Sequence, residues 1–184
     1  MINNKLKKYI FIKNLDEKIK KNIKKINNVQ IIFNNEDFNN VSLRQCIEIR
    51  DFCAKNEIPL YIINNYKIAL KIKAYGIFIS SKNKRVNLSD FFLKKFHIIG
   101  SAHNQLEYYF KKMQNCETIT LSPLFFNPKY STNKILGPIK FNLISRMWNT
   151  NLCALGGILE NNIKKINLTK ASSVAFQRLI TESE

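Results

Sequence analysis

The chain has 184 residues, 45% of them hydrophobic, with only five glycines and four prolines, and a formal net charge of +17. That length suits one domain, 1–184, with a sizeable core, and the composition excludes a disordered or collagen-like chain. The basic residues are spread along the whole length, with arginine only at Arg44, Arg50, Arg85, Arg146 and Arg178, which argues against a dedicated nucleic-acid surface.

Read for period, the chain alternates short apolar runs with amphipathic stretches. A polar, basic start passes into Tyr9–Ile12, a run too short for a leader's apolar core and not followed by a small-residue cleavage site. No run approaches a membrane span, so a cytoplasmic protein without membrane association is expected. Asp16 then caps a basic helix reaching about Ile26. Val29–Phe33 is followed by a helix opened by Ser42 and running to about Asn56. Leu60–Ile63, after Pro59, precedes a short helix over Tyr66–Lys73. Tyr75–Ile79 is paired with Ser89–Lys95, and His97–Gly100 with Asn104–Met113. Thr118–Leu121 leads into a long loop and then a helix over Gly137–Met147, with Pro138 tolerated in its first turn. Leu152–Leu155 with Leu159–Ile166, and Ser172–Phe176 with Gln177–Ile180, complete the series.

Eight strand-then-helix units of about 23 residues each predict an α/β fold, a small (β/α)8 TIM barrel. The strands are continuous apolar runs, as strands buried on both faces should be. A doubly wound open sheet has the same alternation and is the competing arrangement. The four cysteines, Cys46, Cys53, Cys116 and Cys153, contain no C-x-x-C pair, so neither a zinc knuckle nor a redox pair is written, and reduced thiols are expected.

The run Cys153-Ala154-Leu155-Gly156-Gly157-Ile158 carries the most chemistry. Adjacent glycines at a strand end let backbone N–H groups approach an anion without a Cβ between them. A helix from Leu159 would add its positive N-terminal end. Gly-Gly is also ordinary turn punctuation, so its neighbours decide the reading.

Those neighbours resemble the thiamine-phosphate synthase family and the related thiazole tautomerase (TenI) group. Tyr61-Ile62-Ile63-Asn64-Asn65 is similar to the family's strand ending Ile-Asn-Asp, and Ala74-Tyr75-Gly76-Ile77-Phe78-Ile79 to its Ala-Asp-Gly-Val-His-Leu. Ile98-Ile99-Gly100-Ser101-Ala102-His103 resembles Ile-Ile-Gly-(Val)-Ser-x-His. Thr118-Ile119-Thr120-Leu121-Ser122-Pro123-Leu124-Phe125 resembles Tyr-Ile-Gly-x-Gly-Pro-Val-Phe, and Ala154–Ile158 resembles Ala-Ile-Gly-Gly-Ile. The segments fall in the family's order between about Leu60 and Phe176. The resemblance implies a (β/α)8 barrel and a small-molecule partner, a thiazole phosphate or thiamine phosphate. It also implies Mg²⁺ wherever synthase activity is retained, because a departing diphosphate needs its charge neutralised. Self-association into a homo-oligomer is compatible with the sequence.

The departures fall on one half of the site. The family's two magnesium-binding aspartates align with Asn65 and Asn83, whose neutral amides hold a hard dication poorly, so no metal site and no resident cofactor are expected. The family's Gln-x-Arg-x-Lys aligns with Gln30, Ile32 and Asn34, leaving only the glutamine. Val41–Gln45 imitates that motif but lies too near Ile62, and Ser42 reads better as a helix cap. In the diphosphate loop, Lys129, Ser131, Thr132 and Lys134 could hold an anion. The phosphate half implied by the resemblance is better kept: Gly156, Gly157 and Ile158, with Ser172 and Ser173 on the last strand, and Asn64 beside the substrate. Arg178 could add a charged fork, although a solvent-facing arginine is the simpler reading. His103 follows the fifth strand at the rim, where the tautomerase group has its acid–base histidine. Three activities are open: a synthase-type transferase, a metal-independent tautomerase using His103, or a binding protein without catalysis.

Overall fold

The computed structural model describes residues 6–34, 43–86, 95–126, 128 and 131–177. Eight strands follow one another around a closed parallel barrel: β1 (Lys7–Ile12), β2 (Val29–Phe33), β3 (Leu60–Ile63), β4 (Gly76–Ile79), β5 (His97–Ala102), β6 (Thr118–Leu121), β7 (Asn151–Leu155) and β8 (Ser173–Phe176). Closure runs from Lys7 opposite Ser173 to Ile10 opposite Phe176, so the open-sheet alternative is excluded. Outside lie α1 (Glu17–Lys24), α2 (Leu43–Lys55), α3 (Tyr66–Lys71), α4 (Gln105–Met113) and α5 (Gly137–Trp148).

The strands' apolar runs divide by parity into two cores. Tyr9, Ile32, Tyr61, Ile63, Phe78, Ile99, Cys153 and Leu155 pack together inside the barrel. Their sequence neighbours, such as Ile10, Ile31, Ile62, Ile77, Ile98 and Ala154, face the helices. Rings brace the interior edge to face, Tyr9 on Tyr61 at 5.8 Å and Phe11 on Phe78 at 5.2 Å. Truncating one of the buried isoleucines would cost about 2–5 kcal/mol.

Asparagine and aspartate set the helix entries. Asp16 Oδ1 accepts from the Ile19 N–H at 2.7 Å, Asn65 Oδ1 from Ile68 at 3.0 Å, and Asn104 Oδ1 from Glu107 at 2.9 Å. The returns from helix to strand need a left-handed residue. With so few glycines the chain supplies others there: Asn28, Glu57, Lys73, Asn115 and Asn149, with φ between 43° and 61°. Asparagine tolerates this region better than most residues.

One predicted helix is replaced. Leu159–Ile166 is not an α-helix; a turn leads into a 3₁₀ helix over Ile163–Leu168. Asn162 is the cause. Its amide donates to the Gly157 carbonyl at 2.7 Å and its Oδ1 accepts the Leu159 N–H at 2.9 Å, which closes a local loop in place of the first helical turn. Ser42, most of Ser89–Lys95 and 178–180 lie outside the described residues. Among the described residues no helix is long and apolar enough to cross a membrane.

Candidate functional site

The C-terminal ends of the strands form the barrel mouth, where loops and not the sheet decide chemistry. At the end of β7, Gly156 and Gly157 both adopt positive φ, 92° and 70°. A Cβ on Gly157 would lie 2.3 Å from the Phe126 carbonyl oxygen and 2.4 Å from that of Phe125, so only glycine fits beneath this strand-crossing segment. The segment is laced to β7 by Leu124 N–H to Leu155 O at 2.9 Å and Phe125 N–H to Gly156 O at 3.0 Å. Among the described residues no acceptor takes the N–H of Gly157 or of Ile158.

These donors border a cavity of about 230 Å³, walled by Phe126, Leu155, Gly156, Gly157, Ile158 and Phe176 among others, with Gln177 at its edge. No lysine or arginine lines it among the described residues. The arrangement offers backbone dipoles to an anionic end and apolar walls to a flat body. The helix expected to add its N-terminal charge is absent, so the turn itself is the anion-facing element.

Ser172 and Ser173 do not face this turn. β8 runs upward from Ser173 to Phe176, and Ser173 pairs with Lys7 and Cys153 at the opposite end of the barrel. At about 3.3 Å per residue the two serines sit roughly 10 Å below the mouth. Ser172 Oγ donates to the Leu152 carbonyl at 3.1 Å, and Ser173 Oγ is buried against the Cys153 thiol. Burial pushes the Cys153 thiol up to about 12, which makes it a packing group and not a nucleophile.

Gln30 is likewise at the lower end, the second residue of β2. Its Oε1 accepts from the Tyr61 hydroxyl at 2.9 Å; the same oxygen of Tyr61 lies 3.1 Å from His97 Nδ1, and His97 Nε2 is 3.2 Å from Glu117. This polar chain, buried at Gln30 and Tyr61 and open to solvent at Glu117, is a structural plug. At the mouth end of β2 stand Phe33 and, just past the strand, Asn34, whose side-chain oxygen is buried without a donor among the described residues.

His103 stands on the rim just past β5 and is exposed. Its Nδ1 lies 3.1 Å from the Ser122 carbonyl oxygen and 3.2 Å from Ser122 Oγ, while its N–H donates to Glu107 at 2.7 Å. The ring is therefore oriented across β5 and β6. The plain alternative, a histidine bonded to backbone near Gly100 and Ser101, is not what the structure shows.

Asn64, Ser80 and Asn83 form a second cluster above β3 and β4. Asn64 Oδ1 accepts from Ser80 N–H at 3.0 Å and from Asn83 Nδ2 at 3.2 Å, and Asn64 Nδ2 donates to Ser80 Oγ at 2.8 Å. Asn65 points elsewhere and caps α3. Asn83 Oδ1 accepts the Arg85 N–H at 3.1 Å. Among the described residues these oxygens are neutral and already bonded, so the donor set does not fit Mg²⁺.

Beneath that cluster is a feature the sequence reading missed. Lys111 is fully buried and donates to the Ser80 and Asn83 carbonyls, each at 2.8 Å, and to Gln114 Oε1 at 2.7 Å. Gln114 Nε2 donates to the Asn83 and Arg85 carbonyls at 3.0 and 2.9 Å. Burial pulls the Lys111 ammonium down to about 8. Lys111 of α4 and Gln114 at its C-terminal cap thus pin residues 80–85. The visible signal was positional: Lys111 lies three residues after buried Tyr108 and shares its inward face.

In the anion-loop region, Ser131 Oγ is spent on Asn133 at 2.6 Å and Thr132–Lys134 form a 3₁₀ turn. Lys129 and Arg178 lie outside the described residues.

Comparison with known proteins agrees with this barrel. A family model described as thiamine monophosphate synthase matches residues 10–180. A thiamine-phosphate synthase from Staphylococcus haemolyticus is 29% identical over 144 residues, covering 74% of this chain and 66% of the relative. The chain thus spans less than two thirds of that relative's length, and 41% of a synthase from Prochlorococcus marinus. Among solved structures, a thiamine phosphate pyrophosphorylase from Pyrococcus furiosus superposes with a TM-score of 0.73 at 16% identity, covering 95% of this chain and 86% of that one. A phosphoribosylanthranilate isomerase from the same organism superposes with a TM-score of 0.64 at 13% identity, so the likeness of shape carries fold and not chemistry.

Proposed function

The chain belongs to the thiamine monophosphate synthase family, and on that premise we propose that it binds a phosphorylated thiazole, or the thiamine phosphate built from one, at the glycine turn after β7. One observation carries the reading: two N–H groups without acceptors among the described residues, at Gly157 and Ile158, border an apolar cavity that no Cβ at Gly157 could share with Phe126. The phosphate would sit on the N–H groups and the ring against Ile158 and Phe176. The diphosphate and metal half is degenerate, with Asn65 engaged as a helix cap and Asn83 tied to Arg85. Titration of wild type and Gly157→Ala with a phosphorylated thiazole tests the site. Loss of binding in a folded variant supports it; unchanged binding refutes it.

The geometry of His103 favours one enzymatic reading over coupling chemistry, the metal-independent thiazole tautomerase. Where the Ser122 carbonyl is the partner, it can only accept, so the neutral imidazole carries its proton on Nδ1 and leaves Nε2 unprotonated. Such a base could take a proton from a bound thiazole and return it at a neighbouring atom, with no change of redox state and no metal. Binding without catalysis is the reading left if His103 proves inert.

A further inference from the structure

Among the described residues, ten large hydrophobic side chains are exposed, and six lie on two neighbouring helices. Leu106, Tyr109 and Met113 follow one another down α4 at i, i+3 and i+7. Ile139, Leu143 and Met147 follow one another down α5 at i, i+4 and i+8. At 100° per residue each set forms one stripe, and each lies opposite its helix's buried residues, Tyr108 and Lys111 on α4, Phe141 and Trp148 on α5. The helices are fastened together: Tyr108 stacks on Trp148 at 4.5 Å, its hydroxyl bonds the Trp148 carbonyl, and Trp148 Nε1 donates to Gln105 at 2.6 Å. The six side chains are 54–78% exposed.

We propose that this α4–α5 face is the interface of a twofold homodimer, with the stripe of α4 on one copy lying against the stripe of α5 on the other. The size fits. The six side chains present on the order of 700 Å², close to the ~800 Å² per partner of a standard interface. A solitary soluble protein rarely exposes so many large apolar side chains on two adjoining helices. No charge interrupts either stripe; Lys140 and Arg146 flank that of α5, and Lys112 that of α4. A twofold axis between the stripes brings unlike rows together, an aromatic and thioether ridge against an aliphatic one, which makes the face self-complementary.

Charge gives the proposal a signature that separates it from an acidic partner. Two chains of +17 repel one another, and salt screens that repulsion while strengthening apolar burial. Self-association through this face therefore grows with ionic strength, whereas docking of an acidic partner weakens. The experiment is sedimentation velocity over a concentration series at low and high salt. The proposal expects a species of twice the 21.6 kDa chain mass, favoured by salt, and converted to monomer by Leu143→Lys, which sets a charge against the other copy's apolar α4 stripe. Asn27→Lys, far from the face, should leave the dimer intact, and circular dichroism should show both variants folded. A wild-type monomer at every concentration and salt, a dimer that dissociates as salt rises, or a Leu143→Lys protein that remains dimeric overturns it.

Discussion

His103 Nδ1 lies 3.1 Å from the carbonyl oxygen of Ser122 and 3.2 Å from its hydroxyl oxygen, contacts that tie the end of β5 to the end of β6 through one ring nitrogen. The remaining nitrogen is free of protein partners among the described residues and sits at an exposed rim. If the chain is a proton-transfer enzyme, His103→Ala should lower turnover about a hundredfold or more. Stability should change little, because an exposed side chain leaves no core cavity. A thiazole tautomer assay beside a thermal melt checks both. Activity that falls only in step with folded protein would make the histidine a brace between strands.

Lys111 and Gly100 are coupled through space. A Cβ on Gly100 would lie 2.6 Å from Lys111 Cδ and 2.7 Å from Cys116 Sγ. Gly100→Ala should destabilise by about 1–3 kcal/mol through overpacking. It should also displace the lysine from the Ser80 and Asn83 carbonyls and speed amide exchange across 81–86. Lys111→Ala alone should speed that exchange, and in the double variant the cost of Gly100→Ala should shrink. Denaturant melts with hydrogen-exchange mass spectrometry complete the cycle; additive costs would show that the lysine does not occupy that space.

The pH dependence of stability should follow His97. Its pKa is lowered, by burial first and by Lys7, against an opposing pull from Glu117. A depressed imidazole resists the proton in the folded chain, while the unfolded chain binds it as pH falls through about 6.5. Stability is therefore full above that value and declines below it. Denaturant unfolding at about pH 7.5 and about pH 5 should show the decline, and His97→Gln should reduce it. An identical profile in the variant would assign the acid limb to other groups.

Restoring both carboxylates, Asn65→Asp with Asn83→Asp, should raise Mg²⁺ affinity above that of wild type if the pair marks the family's metal positions. Asn65→Asp should also stabilise the chain by about 0.3–1 kcal/mol, since a charge at the α3 cap meets the helix's positive end. Calorimetric Mg²⁺ titration and a melt read the two effects separately.

The barrel was legible because a parallel strand buried on both faces is written as an unbroken apolar run, and Tyr9–Ile12 through Ser172–Phe176 kept that form. Ser172 and Ser173 were misplaced by following the family match alone: they stand at the start of a parallel strand, and only its C-terminal end reaches the mouth. Gln30 lies low for the same reason: it is the second residue of β2, where it accepts from the Tyr61 hydroxyl. The Leu159–Ile166 helix had the right period, and a single asparagine side chain outcompeted it. Lys111, within a Lys-Lys pair at a helix end, looked solvated; its burial depends on the space that Gly100 leaves, a pairing eleven residues apart.

The most direct measurement compares two ligands that differ only in the phosphate. Hydrogen bonds from backbone N–H groups to a charged oxygen are each worth about 1.5–3 kcal/mol. Calorimetry should therefore give the phosphorylated thiazole at least about tenfold tighter binding than its dephosphorylated form, since 1.4 kcal/mol is a factor of ten. Gly157→Ala should erase the difference, because its Cβ has no room at 2.3 Å from the Phe126 carbonyl oxygen. Equal affinity for the two ligands in the wild-type protein would contradict the account and reduce Gly156-Gly157 to a turn.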